Sequence, residues 1–288
     1  MSETLKIKID FAEKRQRPAE VFQAMSGYIE AYQALGQVLV NALGDPEDFA
    51  LQLECVEAGS VASFIKAVPG RLKGWMSSAI IESGFTLADT LSGVESTATE
   101  GEVDAIASVL ENELTRTDNP QMIHPKIDRK ELAFALQKFS EANKKLLPDE
   151  TVLTSLANTE NVTPINTHWR FNANPKNMFL GITTSFNGTD RLYVRAPVNI
   201  GKGAWSMLSV TTGSRYNANI IDVKWLDDYQ NGLVRAIGPK DVMEAEVSFQ
   251  LYTPPPGQGK PYISNAKIVK IINIHRNVGL QHETIPLL

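Results

Sequence analysis

The sequence has a single cysteine, Cys55, among its 288 residues, so a disulfide within the chain is impossible. Because Cys55 stands in an alternating apolar run, we expect a buried, unreactive thiol. No stretch approaches the roughly 18 uncharged apolar residues that cross a bilayer, and no basic segment followed by an apolar one opens the chain. These absences predict a cytoplasmic protein without a membrane anchor.

Recognisable catalytic and metal-binding motifs are also absent. The sequence has no G-x-S-x-G elbow and no G-x-x-x-x-G-K-[ST] phosphate loop. Its four histidines form no i, i+4 pair beside a carboxylate, so neither a metal site nor a cofactor is predicted. A catalytic site needs geometry and not a linear motif, so an enzyme assembled from distant residues stays open as the alternative. Its candidate residues are His168, His275, Asp227 and Asp228.

Charge divides the chain more clearly than the total of −5 suggests. From residue 161 onward there are 13 Lys and Arg against 8 Asp and Glu, a net charge of +5. Residues 1–160 hold 15 basic and 25 acidic side chains, a net charge of −10. A polyanion would therefore approach the back half, which makes nucleic acid a candidate partner.

Residues 1–160 predict an acidic α/β and helical domain. Alternating apolar residues from Leu5 to Phe11 indicate a strand, and apolar spacings of three and four predict a helix over residues 19–43. Two strands, Phe49 to Val56 and Val61 to Val68, are expected to form a hairpin. Residues 70–157 have mostly helical patterns, and Asp128 followed by Glu131 resembles a capping box that opens the last helix.

Residues 161–288 predict a basic, β-rich domain, because short apolar runs alternate with turn residues at intervals of about ten residues. The fold class is therefore α+β, with a mostly antiparallel barrel or sandwich at the C-terminus. The proline-rich segment 254–261 is predicted to be an exposed loop. Predicted strands are 167–172, 178–186, 191–197, 204–211, 217–225, 233–237, 242–252 and 266–275.

Cations and aromatic rings are neighbours at several points of the back half. Nucleic-acid binding uses both, since cations replace phosphate counterions and rings stack on bases. Neighbours along a strand point to opposite faces, however, so the alternative is an aromatic core with cations on a solvated rim. The candidate residues for binding nucleic acid or another partner are Arg170, Arg191, Arg195, Lys202, Arg215 and Lys224.

Segments in both halves resemble a family of uncharacterised bacterial proteins from variable or mobile-element regions, which join an N-terminal α/β part to a small C-terminal β module. The segments are Ile7 and Ile9, Ala34 to Gly36, Leu43 to Asp45, Ala58 to Ser60, Tyr216 to Asp222, Trp225 and Leu226, Gly232, and Ile268 to Ile274. The resemblance implies a bacterial protein, one connected with defence against phage. It implies no catalytic residue.

The function expected from these observations is a non-catalytic binding or assembly component whose basic β module contacts a partner. The alternatives are the enzyme described above and a homo-oligomer formed through the first long helix. That helix carries Phe22, Tyr28 and Tyr32, more aromatic surface than a hairpin alone would cover.

Overall fold

The computed structural model describes residues 4–43, 49–57, 61–67, 74–116, 125–157, 159, 161–199, 201 and 203–278. Within them, helices α1 to α6 are Ala19–Ala42, Gly74–Leu91, Glu100–Arg116, Arg129–Asn143, Pro175–Met178 and Val223–Gln230. Strands β1 to β12 are Thr4–Asp10, Leu51–Glu57, Val61–Ala67, Ser96–Thr97, Thr151–Leu156, Val162–Ile165, Arg170–Phe171, Ile182–Ala196, Trp205–Ser209, Arg215–Ile220, Val242–Thr253 and Tyr262–His275. The fold is α+β, as predicted.

Four strands of the front half and β6, which follows residue 160, form an antiparallel five-stranded sheet in the order β2-β3-β1-β5-β6. α1 confirms the predicted first helix, and it packs in one core with α4 and the sheet. Tyr28 and Tyr32 of α1 are buried in that core, whereas Phe22 is exposed. Asp128 caps α4 as predicted, because its carboxylate accepts the backbone N–H groups of Lys130 and Glu131 at 2.9 and 3.0 Å.

The front half also contains strands that the sequence interpretation missed. Residues 151–156 belong to the stretch predicted to be mostly helical and no strand was predicted there, but they form β5, which lies between β1 and β6 in the sheet. Thr151, Val152 and Thr154 have β-branched side chains, which favour a strand. Val152 and Thr154 are fully buried two residues apart, which is the spacing of a strand face.

Five back-half strands close into a barrel in the order β10-β12-β11-β8-β9. All neighbours are antiparallel except β10 and β12, which run parallel. α6 contributes to the barrel core, since Trp205 of β9 lies 5.9 Å from Trp225 and 5.0 Å from Tyr229, measured between ring centroids. The barrel confirms one of the two architectures predicted for the C-terminal half.

Four predicted strands of this half differ from the strands of the structure. Residues 178–186 and 191–197 belong largely to one strand, β8, which Gly188 does not interrupt. The strand predicted over 217–225 ends at Ile220, because Asp222 caps α6 by accepting the N–H of Trp225 at 3.2 Å. Residues 233–237 form no strand. The proline-rich segment between β11 and β12 is a loop, as predicted.

Cys55 is exposed, so the prediction of a buried thiol was wrong. Two features account for this exposure. β2 is the edge strand of its sheet, and Leu53, although opposite the core-facing Ile65, is itself 54% exposed. The register of β2 against β3 then shifts between Leu53 and Cys55, so that Cys55 is opposite Phe64, on the outer face.

Two hydrophobic clusters organise the chain. The first belongs to the front sheet and its helices and includes Trp169 and Phe171. The second fills the barrel, from Leu192 to Ile268. The division into domains 1–160 and 161–288 stays a prediction. None of the helices in the described ranges has the length and apolarity that a membrane crossing requires.

Candidate polyanion-binding site

Strand alternation on β8 sorts its side chains between the barrel core and solvent. Leu192 and Val194 are buried in the core. Arg191, Tyr193 and Arg195 alternate with them and point outward; both arginines are exposed and the tyrosine is half-buried. The outer face of β8 therefore presents two cations on either side of one ring.

The register of the next two strands brings a third cation to the same face. Tyr193 of β8 is opposite Leu208 of β9, and Leu208 is opposite Arg215 of β10. Backbones two strands apart are separated by about 10 Å, which long arginine side chains can bridge. We call Arg191, Arg195 and Arg215 the arginine cluster.

The positive charges of Arg195 and Arg215 repel each other. Partial burial and the positive charge of Arg215 together lower the pKa of Arg195. Within the described part of the chain, none of the three arginines takes part in an ion pair. Glu244 is opposite Arg191 on β11, but its carboxylate contacts His275 at 2.6 Å. Positive charge is thus concentrated at Arg195 and Arg215, where an anion would be stabilised.

The other predicted site residues lie apart from the cluster. Arg170 belongs to the small sheet of β4 and β7, and its guanidinium donates to the carbonyls of Thr167 and Trp169 at 2.7 and 2.9 Å. Lys224 is exposed on α6. Lys202 lies outside the described residues. The structure brings together only Arg191, Arg195 and Arg215 from the predicted set.

Most aromatic rings that neighbour the candidate cations in the sequence are inside the protein. Trp169, Trp205 and Tyr216 are 1%, 0% and 2% exposed. Trp225 is half-buried and stacks on Tyr229 with ring centroids 5.4 Å apart. The ring left beside the cluster is therefore Tyr193, which limits base stacking on this face.

Comparison of the chain with protein-family models, with curated proteins and with solved structures finds no match.

The residues considered for an enzyme are not assembled into a site. His275 on β12 contacts Glu244, while Asp227 and Asp228 are on α6 and His168 is in the turn after β6. In the ranges that the structure describes, no group of three or more His, Cys, Asp or Glu side chains is placed to hold a metal ion. His275 thus pairs with Glu244, a residue outside the set that the sequence suggested.

A polar cleft of about 520 Å³ separates the start of α4 and the end of α1 from the outside of the barrel. Its wall on the helical side includes Asn41, Lys126 and Asp128, and its barrel side includes Asn219 and Lys267. Asp128 already caps α4, and Lys126 is 3.3 Å from Glu111. Sequence reasoning missed this cleft because its walls come from elements far apart in the chain.

Proposed function

We propose that this chain is a non-catalytic binding protein whose barrel contacts the backbone of a nucleic acid through the arginine cluster. One observation carries the proposal. Arg195 and Arg215 are near enough for the charge of one to lower the pKa of the other, yet neither joins an ion pair among the described residues. Unpaired, converging cations on an outward strand face suit a phosphate backbone.

The chemistry of the face favours binding without sequence preference. Guanidinium groups contact phosphates in bidentate fashion, and displaced counterions supply the free energy. The rings that would read or stack on bases, Trp205 and Tyr216, are buried in the barrel core. We therefore expect similar affinity for oligonucleotides of different sequence and equal charge.

The charge division of the chain supports the orientation of such a complex. The back half carries +5 and the front half −10, so a polyanion would approach the barrel and avoid the front sheet. The resemblance to bacterial proteins of variable regions leads us to propose that the chain acts in a cytoplasmic system connected with defence against phage.

Fluorescence anisotropy with short labelled single strands and duplexes at about 50 mM salt tests the proposal. The test variant combines Arg195→Gln with Arg215→Gln. The matched control combines Arg17→Gln with Arg116→Gln, two front-half arginines whose side chains are each 80% exposed. Both variants lose two positive charges, so a difference between them reports the position of the charges and not the net charge.

We expect the test variant to lose affinity by about tenfold or more and the control to stay within about twofold of the parent chain. Absence of binding by the parent chain at low salt would remove the proposal. Equal losses in the two variants would also contradict it, because binding would then follow net charge alone.

An enzyme is the second candidate, and the polar cleft is the observation that favours it, since active sites usually lie in clefts between structural units. Lys267, Glu131 and Tyr262 are the titratable cleft residues that neither cap a helix by their side chains nor join an ion pair among the described residues. Thermal unfolding measured in the presence of small polar molecules tests whether the cleft binds a ligand. A ligand that raises the unfolding temperature of the parent chain but not of a Lys267→Met variant would support a site in the cleft.

A further inference from the structure

The first half of β8 has a backbone edge that no described residue pairs with. β11 pairs with β8 continuously from Ile182 to Tyr193, whereas β9 pairs with it only from Leu192 to Ala196. Residues 182–187 and Thr189 are exposed. About eight residues of β8 therefore form a sheet edge that is open to solvent.

The hydrogen-bonding groups on this edge can be assigned from the neighbouring ladder. The carbonyl of Arg191 accepts the N–H of Val210, just beyond β9, at 2.7 Å, so the backbone groups of Arg191 face the β9 side. An antiparallel strand directs the N–H and C=O of every second residue to the same side. The register with β11 has no shift in this segment. The residues whose backbone groups face the open edge are Thr183, Ser185, Asn187 and Thr189.

The edge lacks the features that usually prevent pairing between molecules. Natural sheets protect their edges with prolines, charges, bulges or very short strands. The front sheet follows this rule: β2 has a register shift and Glu54, and β6 has four residues including Pro164. The segment Ile182 to Thr189 has no proline, no charged residue and no register shift.

We propose that a second copy of this chain pairs antiparallel with the open edge of β8 and forms a symmetric dimer with one continuous sheet. A two-fold axis at Phe186 is the register that uses every outward group. It places Thr183 opposite the other copy's residue 189, and Ser185 opposite residue 187, which gives about eight hydrogen bonds between the chains. Two identical uncharged segments meet without like-charge repulsion, which favours a second copy over a charged partner.

Side chains at the axis fit this register. Phe186 is 40% exposed, and its ring stacks on Phe249 of the barrel core with centroids 4.8 Å apart. Gly188 leaves room for it, since a Cβ there would meet the Phe186 ring at 3.1 Å. In the dimer the two Phe186 residues are opposite each other and cover apolar surface that solvent reaches in the monomer.

Sedimentation equilibrium of the full chain over a dilution series tests the dimer. We expect the mass to rise from 31.7 kDa toward twice that value as the concentration increases. Ser185→Pro removes one outward N–H and blocks pairing, while Ser185→Val keeps the N–H and serves as the matched control. The proline variant should stay at the mass of one chain and the valine variant should dimerise. A parent chain that stays monomeric at every concentration overturns the proposal, as does a folded proline variant that dimerises normally.

Cysteine cross-linking gives a second test that does not depend on how well the proline variant folds. In a Cys55→Ser background, Phe186→Cys places one thiol at the axis, directly opposite its copy, at a distance that a disulfide spans. Thr184→Cys, two residues away on the same face, separates the thiols by roughly 13 Å. Oxidation should cross-link the first variant and not the second. Equal cross-linking of both, or of neither, would overturn the register.

Discussion

The hydroxyl of Tyr252 on β11 donates to the carboxylate of Glu100, the first residue of α3, at 3.0 Å. The same hydroxyl accepts the N–H of Gly181 at 2.8 Å. Glu100 is 3% exposed, and burial raises the pKa of its carboxyl group above the ordinary value of 4.5. This contact joins the barrel to the front half, and the Tyr252 hydroxyl is the hydrogen-bond donor to the buried carboxylate of Glu100.

Tyr252→Phe should lower the free energy of unfolding at neutral pH by about 1–3 kcal/mol, because the Glu100 carboxylate and the Gly181 N–H lose their partner. A buried acid with a raised pKa contributes most to the stability of the fold below its unfolded-state pKa of 4.5. That contribution is lost as the pH rises from 4.5 through the folded-state pKa. Without the hydroxyl the pKa rises further, so the deficit should be larger at pH 7 than at pH 4. Urea unfolding at both pH values measures it; a deficit that is independent of pH would contradict this reason.

Asp241 should stabilise the fold in the opposite pH range. The N–H groups of Gly238 and Asn277 and the guanidinium of Arg276 lie 2.8, 3.0 and 2.8 Å from its carboxylate and lower its pKa to about 2. The stabilisation is complete above the ordinary value of 3.8 and is lost as pH falls toward 2.

Asp241→Asn should therefore cost about 1–2 kcal/mol at neutral pH, the low end for hydrogen bonds to a charged group near the surface. Unfolding monitored by circular dichroism from pH 7 to pH 2 should show the parent chain losing its advantage over the variant below pH 4. Asp227→Asn, at an exposed position on α6, is the control and should leave stability unchanged. A parent chain with the same advantage at pH 2 as at pH 7 would contradict the assignment.

Cys55 should react with a thiol reagent in the folded protein, since its side chain is exposed on the edge strand β2. We expect complete modification in the absence of denaturant, at a rate close to that in about 6 M guanidinium chloride, a concentration that unfolds ordinary domains. Absorbance of the released chromophore measures this. If Cys55 reacted only after unfolding, its exposed position would be contradicted.

Local patterns predicted the elements whose signal is contained in neighbouring residues. α1 follows from apolar spacings over more than twenty residues, and the start of α4 follows from the capping geometry of Asp128. The barrel followed from turn spacing. α6 carried a comparable signal that was overlooked: Asp222 stands at its N-cap, and Gly232, with positive φ, follows its end.

The elements that were missed depend on pairing between distant segments. β5 is a six-residue run that becomes a strand because β1 and β6 pair with its two edges. The exposure of Cys55 depends on the edge position of β2 and on a register shift against β3. For the site, the sequence named six cations, but the convergence of Arg195 and Arg215 depends on the register through β9, which no local pattern encodes.

The slope of log K against log salt concentration for oligonucleotide binding tests the central claim most directly. Three phosphate contacts by the arginine cluster predict a slope of about −3 on duplex DNA, and removal of two arginines should reduce it to about −1. The measurement compares the parent chain with the Arg195→Gln and Arg215→Gln double variant. A slope that is the same in both proteins would contradict the claim that these arginines hold the polyanion.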